Sequence, residues 1–148
     1  TARHTDKTIH LWDGCCPIHD RLTVADVQAA RAAHPDAVFI AHPECRPEVL
    51  ALADVVESTS GMLRYARQSP HQAFIVGTEM GLLHPIRKQN PDKTFYPASE
   101  KMVCRNMKRI GLADVVNCLE TMTGEVKVPE EIRLPALEAV ERMLALSR

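Results

Sequence analysis

The chain has 148 residues, 45% of them apolar, and a formal net charge of -1 at pH 7, the profile of one ordinary globular domain or two small ones and not of a disordered tail. Its acids and bases are interspersed, which gives no electrostatic footing for a nucleic acid or an anionic membrane as partner. No apolar run approaches the roughly 20 residues that cross a bilayer, and Thr1-Ala2-Arg3-His4 has no signal-peptide core, so the chain reads as soluble and cytoplasmic.

Short runs rich in Val, Ile and Phe alternate with helical patterns along the chain, the signal for a layered α/β architecture with a parallel sheet. The first strand is expected at 8–11. Thr23 then opens a helix over about 24–33, because its hydroxyl can accept a free amide of the first turn, and Pro35 ends that helix. A strand at 37–40 leads to Pro47, placed where a first-turn proline costs nothing, and a helix through about 53. Strand 54–57, helix 60–67, strand 73–76, helix 81–89 and strand 94–96 come next. A helix at 112–120 carries Cys118 on its apolar face, where it reads as core, and a strand is expected at 125–128. The last helix runs from 129 towards 146 with Ile132, Leu137, Val140, Met143 and Leu144 at helical spacing; Pro135 inside it predicts a kink or a late start. The recurrence of strand, polar loop and helix fits two related units of roughly 75 residues, 1–75 and 76–148.

Polar residues gather where the strands end, at 14–19, 42–45, 58–61 and 77–81. In a parallel sheet the loops leaving the carboxyl ends of strands line the ligand crevice, so these four segments should converge on one site. Cys16 and His19 share the first loop, and a thiolate with an imidazole is half of many metal sites; the alternative is that Cys15 and Cys16 are small buried apolar groups. His42 and Glu44 can act as hydrogen-bond donor and general base, or Glu44 can simply favour the next helix's N-terminus. Ser58, Thr59 and the free amides of a helix start form either an anion seat or a plain capping turn, and Gly77-Thr78-Glu79-Met80-Gly81 repeats that ambiguity one strand later. Five cysteines, an odd number without the texture of a disulfide scaffold, fit reduced thiols or metal ligands. Cys104 stands in a segment with little regular structure, an unusual place for a packing cysteine.

In order along the chain, Gly14-x-Cys16-x-x-His19, His42-Pro43-Glu44-Cys45, Ser58-Thr59-Ser60-Gly61, Gly77-Thr78-Glu79-x-Gly81 and Cys104-x-Asn106-Met107-Lys108 form a set that resembles quinolinate synthase, an iron-sulfur enzyme of NAD biosynthesis. The resemblance covers nearly the whole chain and the second and third domains of that family. It implies two related three-layer α/β/α sandwich domains with short parallel sheets, drawn from a three-domain parent with pseudo-threefold symmetry. Cys16 and Cys104 are then ligands of a 4Fe-4S cluster whose open iron acts as a Lewis acid. The implied reaction condenses iminoaspartate with dihydroxyacetone phosphate to quinolinate. His19 and His42 would hold substrate, Glu44 with His19 would serve catalysis, and Ser58 and Thr59 would bind a phosphate or carboxylate. Glu57 departs from the glycine expected before Ser58-Thr59 and sets a charged side chain beside that anion seat. A first domain with the third cluster cysteine would lie upstream of Thr1, so this chain alone is expected to be inactive without that missing N-terminal domain. The competing readings are a non-catalytic remnant that binds a small anion, and a zinc-binding α/β module using Cys16, His19 and either Cys45 or Cys104.

Overall fold

A computed structural model of the chain describes residues 6–10 and 13–147. Among the described residues four short strands, β1 (Val38–Ala41), β2 (Val55–Val56), β3 (Ala73–Gly77) and β4 (Thr94–Pro97), pair in parallel in the order β2-β1-β3-β4. Because side chains alternate along a strand, each central strand feeds two cores. Phe39, Ala41 and Ile75 face one side and pack with Val27 and Val49. Val27 belongs to helix α1 (Val24–Ala33) and Val49 to α2 (Pro47–Leu50). Ile40, Phe74, Val76 and Phe95 face the other side with Met62, Ala66, Leu83 and Ile86, which come from α3 (Thr59–Gln68) and α4 (Leu83–Gln89). Helices on both faces of a buried parallel sheet explain why its strands read as continuous apolar runs, and they make the α/β/α layering expected from the sequence.

Local chemistry sets the boundaries. Thr23 and Asp26 form a reciprocal capping box at the start of α1. The Asp54 carboxylate accepts the Phe39 N–H at 2.8 Å and also binds Arg31, so an amide near the start of β1 is satisfied from the loop before β2. A short 3-10 turn, Met80–Leu82, leads into α4.

Compact units divide between Arg105 and Asn106. The expected boundary at 75/76 falls inside β3, a strand paired on both sides. Beyond Asn106 lie α5 (Leu112–Thr121) and α6 (Glu130–Leu146), the latter continuous through Pro135, so the late start is not seen. Residues 125–128 form no strand, and 8–10 carry none either, with Leu11 lying outside the described residues. Cys118 is exposed rather than core, its Sγ donating to the Thr123 carbonyl. The reason is general to residues 106–147: all are exposed, including Leu112, Leu119 and Leu146, so the apolar stripe is present without a layer to cover it among the described residues.

Candidate functional site

Strand order reverses between β1 and β3: the chain leaving β1 turns towards β2, and the chain leaving β3 turns towards β4. The crevice outside the carboxyl ends of two such strands is where open parallel sheets bind ligands. Ala41 and Gly77, the last residues of β1 and β3, are paired in register, and the segments after them, 42–45 and 78–81, open at this point.

A tight turn brings in the third segment. The Asp20 N–H donates to the Cys16 carbonyl at 2.9 Å and the Leu22 N–H to the His19 carbonyl at 3.2 Å, while Ile18 and Leu22 are buried in the α1/α2-side core. Anchored on either side, His19 is itself buried, and its ring stacks on His42 with centroids 4.3 Å apart and planes 13° apart. Its Nε2 lies 2.9 Å from the Thr78 hydroxyl. Its Nδ1 lies 2.9 Å from Glu44 Oε2, yet the angle is poor for a hydrogen bond and this buried nitrogen is left without a properly aligned partner. Glu44, by contrast, has a half-exposed carboxylate at the mouth of the site.

His42 is neutral at neutral pH. Burial lowers its pKa first and the neighbouring His19 lowers it further, against the opposing pull of Glu44. The Glu44 N–H donates to His42 Nδ1 at 3.3 Å, so that nitrogen is an acceptor and the ring proton resides on Nε2. The 3.6 Å approach of the same Nδ1 to Glu44 Oε2 is therefore a contact and not an ion pair.

The cysteines divide by environment. Cys45 is buried, donates weakly to the Gly77 carbonyl at 3.6 Å, and has its thiol pushed up to about 11, chiefly by burial. It is a protonated packing group at neutral pH. Cys16 and Cys104 are half-buried and both pack against the α1/α2-side core, so they belong to the same side of the sheet. Cys16 lines a cavity of ≈ 480 Å³ with Gly14, Cys15 and Glu44. Ligand atoms of Cys16, His19 and Glu44 lie within 4.8 Å of one another, a thiol, an imidazole and a carboxylate in reach of one cation. That donor set and the unpartnered Nδ1 suit a group of positive, thiophilic character.

Ser58 and Thr59 stand at the start of α3, one strand away, and are exposed. The Ser58 hydroxyl accepts the Gly61 N–H at 3.3 Å as a helix cap. Glu57 folds over the same turn: a Cβ on Gly61 would lie 2.0 Å from its Oε2, so the side chain lies against the helix start. Two residues matter here more than the sequence indicated. Thr78 and Glu79 are both buried, and they touch site residues far away in the chain.

These features define an α/β protein with thiols, stacked imidazoles and a carboxylate gathered at the carboxyl edge of a parallel sheet. The chain belongs to the quinolinate synthetase A family, whose model (NadA: Quinolinate synthetase A protein) matches residues 1–145. It is 56% identical over 147 residues to the quinolinate synthase of Geotalea uraniireducens, an alignment covering 99% of this chain and 48% of the relative. Similarity to the quinolinate synthase of Geobacter metallireducens is 51% over 147 residues, covering 99% and 48%. Quinolinate synthase 2 of Methanosarcina acetivorans is 45% identical over 144 residues, covering 97% and 46%. The chain thus spans about half the length of the curated relatives it matches.

Proposed function

We infer that this chain supplies part of the active site of a cytoplasmic quinolinate synthase, which condenses iminoaspartate with dihydroxyacetone phosphate. The observation that carries the reading is the stacked His19–His42 pair, with Glu44 2.9 Å from His19 Nδ1 and Cys16 beside them, in a chain of this family. Cys16 and Cys104 are the thiolates that would hold a 4Fe-4S cluster, with a third thiolate from the half of the relatives that this chain does not span. Such a cluster, when bound, offers an open iron that polarises substrate oxygens and eases proton loss from the adjoining carbon.

The chain's own groups then divide the work. Neutral His42 presents an Nε2–H to a substrate oxygen without adding charge. His19, fixed at Nε2 by Thr78, turns its Nδ1 towards Glu44, and the half-exposed carboxylate of Glu44 can take up and return a proton at the mouth of the cavity. Ser58 and Thr59 offer hydroxyls at a helix start for the phosphate or a carboxylate of the substrate, with Glu57 as the side chain an anion must displace or avoid.

Anaerobic incubation with ferrous iron and sulfide tests this, using the chain alone and the chain mixed with the complementary half of the Geotalea relative. Visible iron-sulfur absorbance and quinolinate formation are expected only in the mixture, and both should be lost in Cys16→Ser and in Cys104→Ser. Undiminished absorbance and turnover with Cys104→Ser would refute the ligand assignment. A second reading is favoured by the Cys16, His19 and Glu44 grouping: a single divalent ion held by these three. Titration with Co²⁺ separates the two, because a thiolate-to-cobalt band abolished by Cys16→Ser and unaffected by Cys104→Ser belongs to the single-ion site.

A further inference from the structure

We propose that Thr78 and Glu79 are positioning residues that hold the imidazole of His19 and the main chain of Cys104 in place at the same time, so that the turn after β3 sets the geometry of the whole site. This rests on the function proposed above.

Four successive residues reach three separate segments. The Gly77 carbonyl accepts the His42 N–H at 3.0 Å, which ties down the loop after β1. The Thr78 hydroxyl meets His19 Nε2 at 2.9 Å, which ties down the turn before α1. The Glu79 carboxylate accepts the Gly81 N–H at 2.6 Å through Oε2 and the Cys104 N–H at 3.0 Å through Oε1. The Met80 N–H donates to the Met102 carbonyl at 2.9 Å, a second tie to the segment after β4. No other segment among the described residues is seen to bond to all three.

The energetics favour a positioning role over a plain cap. A helix cap is ordinarily exposed and needs one oxygen, whereas Glu79 is only 7% exposed and uses both. Burying a carboxylate is costly unless backbone donors compensate it. One of those donors is the amide of the residue that carries the thiol, so the bond locates the Cα from which that side chain projects. Thr78 acts on the other partner. A hydroxyl can donate to or accept from an imidazole nitrogen, and in a site that is 3% exposed at Thr78 and 7% at His19 no bulk water replaces it, so this contact fixes the position of the ring in either tautomer.

The two contacts can be removed without changing side-chain shape. Thr78→Val deletes the hydroxyl, and Thr78→Ser keeps it. Glu79→Gln replaces one oxygen with an NH2 that faces an N–H donor, so one of the two bonds is lost. The 148-residue chain, labelled with ¹⁵N at histidine, is studied at one fixed pH by NMR and amide hydrogen exchange. In Thr78→Val the two ring-nitrogen shifts of His19 should change, and in Thr78→Ser they should return to the wild-type values. In Glu79→Gln the amide of Cys104 or of Gly81 should exchange about tenfold faster, the scale of one lost charge-assisted hydrogen bond, while the amides of β1 stay within about twofold. Unchanged His19 shifts in Thr78→Val, or unchanged exchange at both amides in Glu79→Gln, would overturn the proposal. So would uniform acceleration across the sheet or failure to fold, which would assign both residues a general structural role. Neither readout needs iron or substrate, so a mixture with the complementary half that takes up no iron would defeat the proposed function and leave this result standing.

Discussion

Replacing Gly77 by Ala should destabilise the protein even though Ala is usually the better strand residue. A Cβ at position 77 would sit 2.8 Å from Cε2 and 3.2 Å from Cζ of Phe39, and 3.3 Å from the Ile40 carbonyl oxygen. Carbon pairs are most favourable at about 3.5–4.0 Å, so the added methyl overlaps the ring by roughly half an ångström or more. Phe39 is fully buried and Ile40 contributes main chain, so neither can step aside. Overpacking of this kind costs about 1–3 kcal/mol, offset by about 0.4–1 kcal/mol from the reduced freedom of the unfolded chain. The net loss of about 1–2 kcal/mol corresponds to a fall in Tm of roughly 4–15 °C for a domain of this size. Urea unfolding followed by circular dichroism measures it, with the slope unchanged. Gly61→Ala is the control. Its Cβ would meet the Glu57 carboxylate, the far end of a flexible side chain that can swing away, and more mildly the Glu57 Cβ at 3.1 Å; about 1 kcal/mol of helix propensity offsets this, so the change should be close to neutral. A Gly77→Ala protein as stable as wild type, beside a Gly61→Ala protein destabilised by about 1 kcal/mol or more, would refute this steric reasoning.

Asp54→Ala removes the acceptor of the Phe39 N–H, and the unpaired amide should cost about 1–3 kcal/mol in the urea midpoint, with faster exchange at Phe39 than at other β1 amides. For His42 the lowered native pKa means that the unfolded chain binds more protons as pH falls below its ordinary value of 6.5. Its contribution is therefore present above that pH and lost as acid titrates the native ring, and His42→Gln should flatten this part of the stability profile. For Cys45 the sign is reversed. The unfolded thiol ionises near 9.0 and the native one near about 11, so stability is full below 9.0 and is lost as pH rises through the native value. The loss is on the order of 3 kcal/mol between those limits, and subtracting the profile of Cys45→Ala isolates it.

All four strands among the described residues were legible within a residue or two because they are β-branched and aromatic runs bounded by polar loops, and burial of the two central strands on both faces leaves no alternation to confuse the reading. Residues 125–128 misled for the opposite reason: Glu125, Val126, Lys127 and Val128 alternate as an exposed strand should, but a strand exists only with a neighbour to pair with. Cys118 shows the same limit in a helix. Periodicity identifies the apolar face of 112–120 and is silent on whether any layer covers it.

The site was partly legible through topology alone. Loops at the carboxyl ends of parallel strands must share an edge, which by itself places His42 and Glu44 near 77–81. What topology could not distinguish was a capping turn from a bracket, because both have the same residue types at the same spacing. Ser58 and Glu79 each accept an amide at the start of a helical turn, at 3.3 Å and 2.6 Å. The difference lies in the second partner. Ser58 bonds within its own segment, to Ser60, whereas Glu79 bonds across 25 positions to Cys104 and its neighbour Thr78 across 59 to His19. Local sequence encodes the cap in both cases, and only the packed sheet, by bringing the ends of β3 and β4 and the turn before α1 to one edge, converts the second into a device that holds a site together.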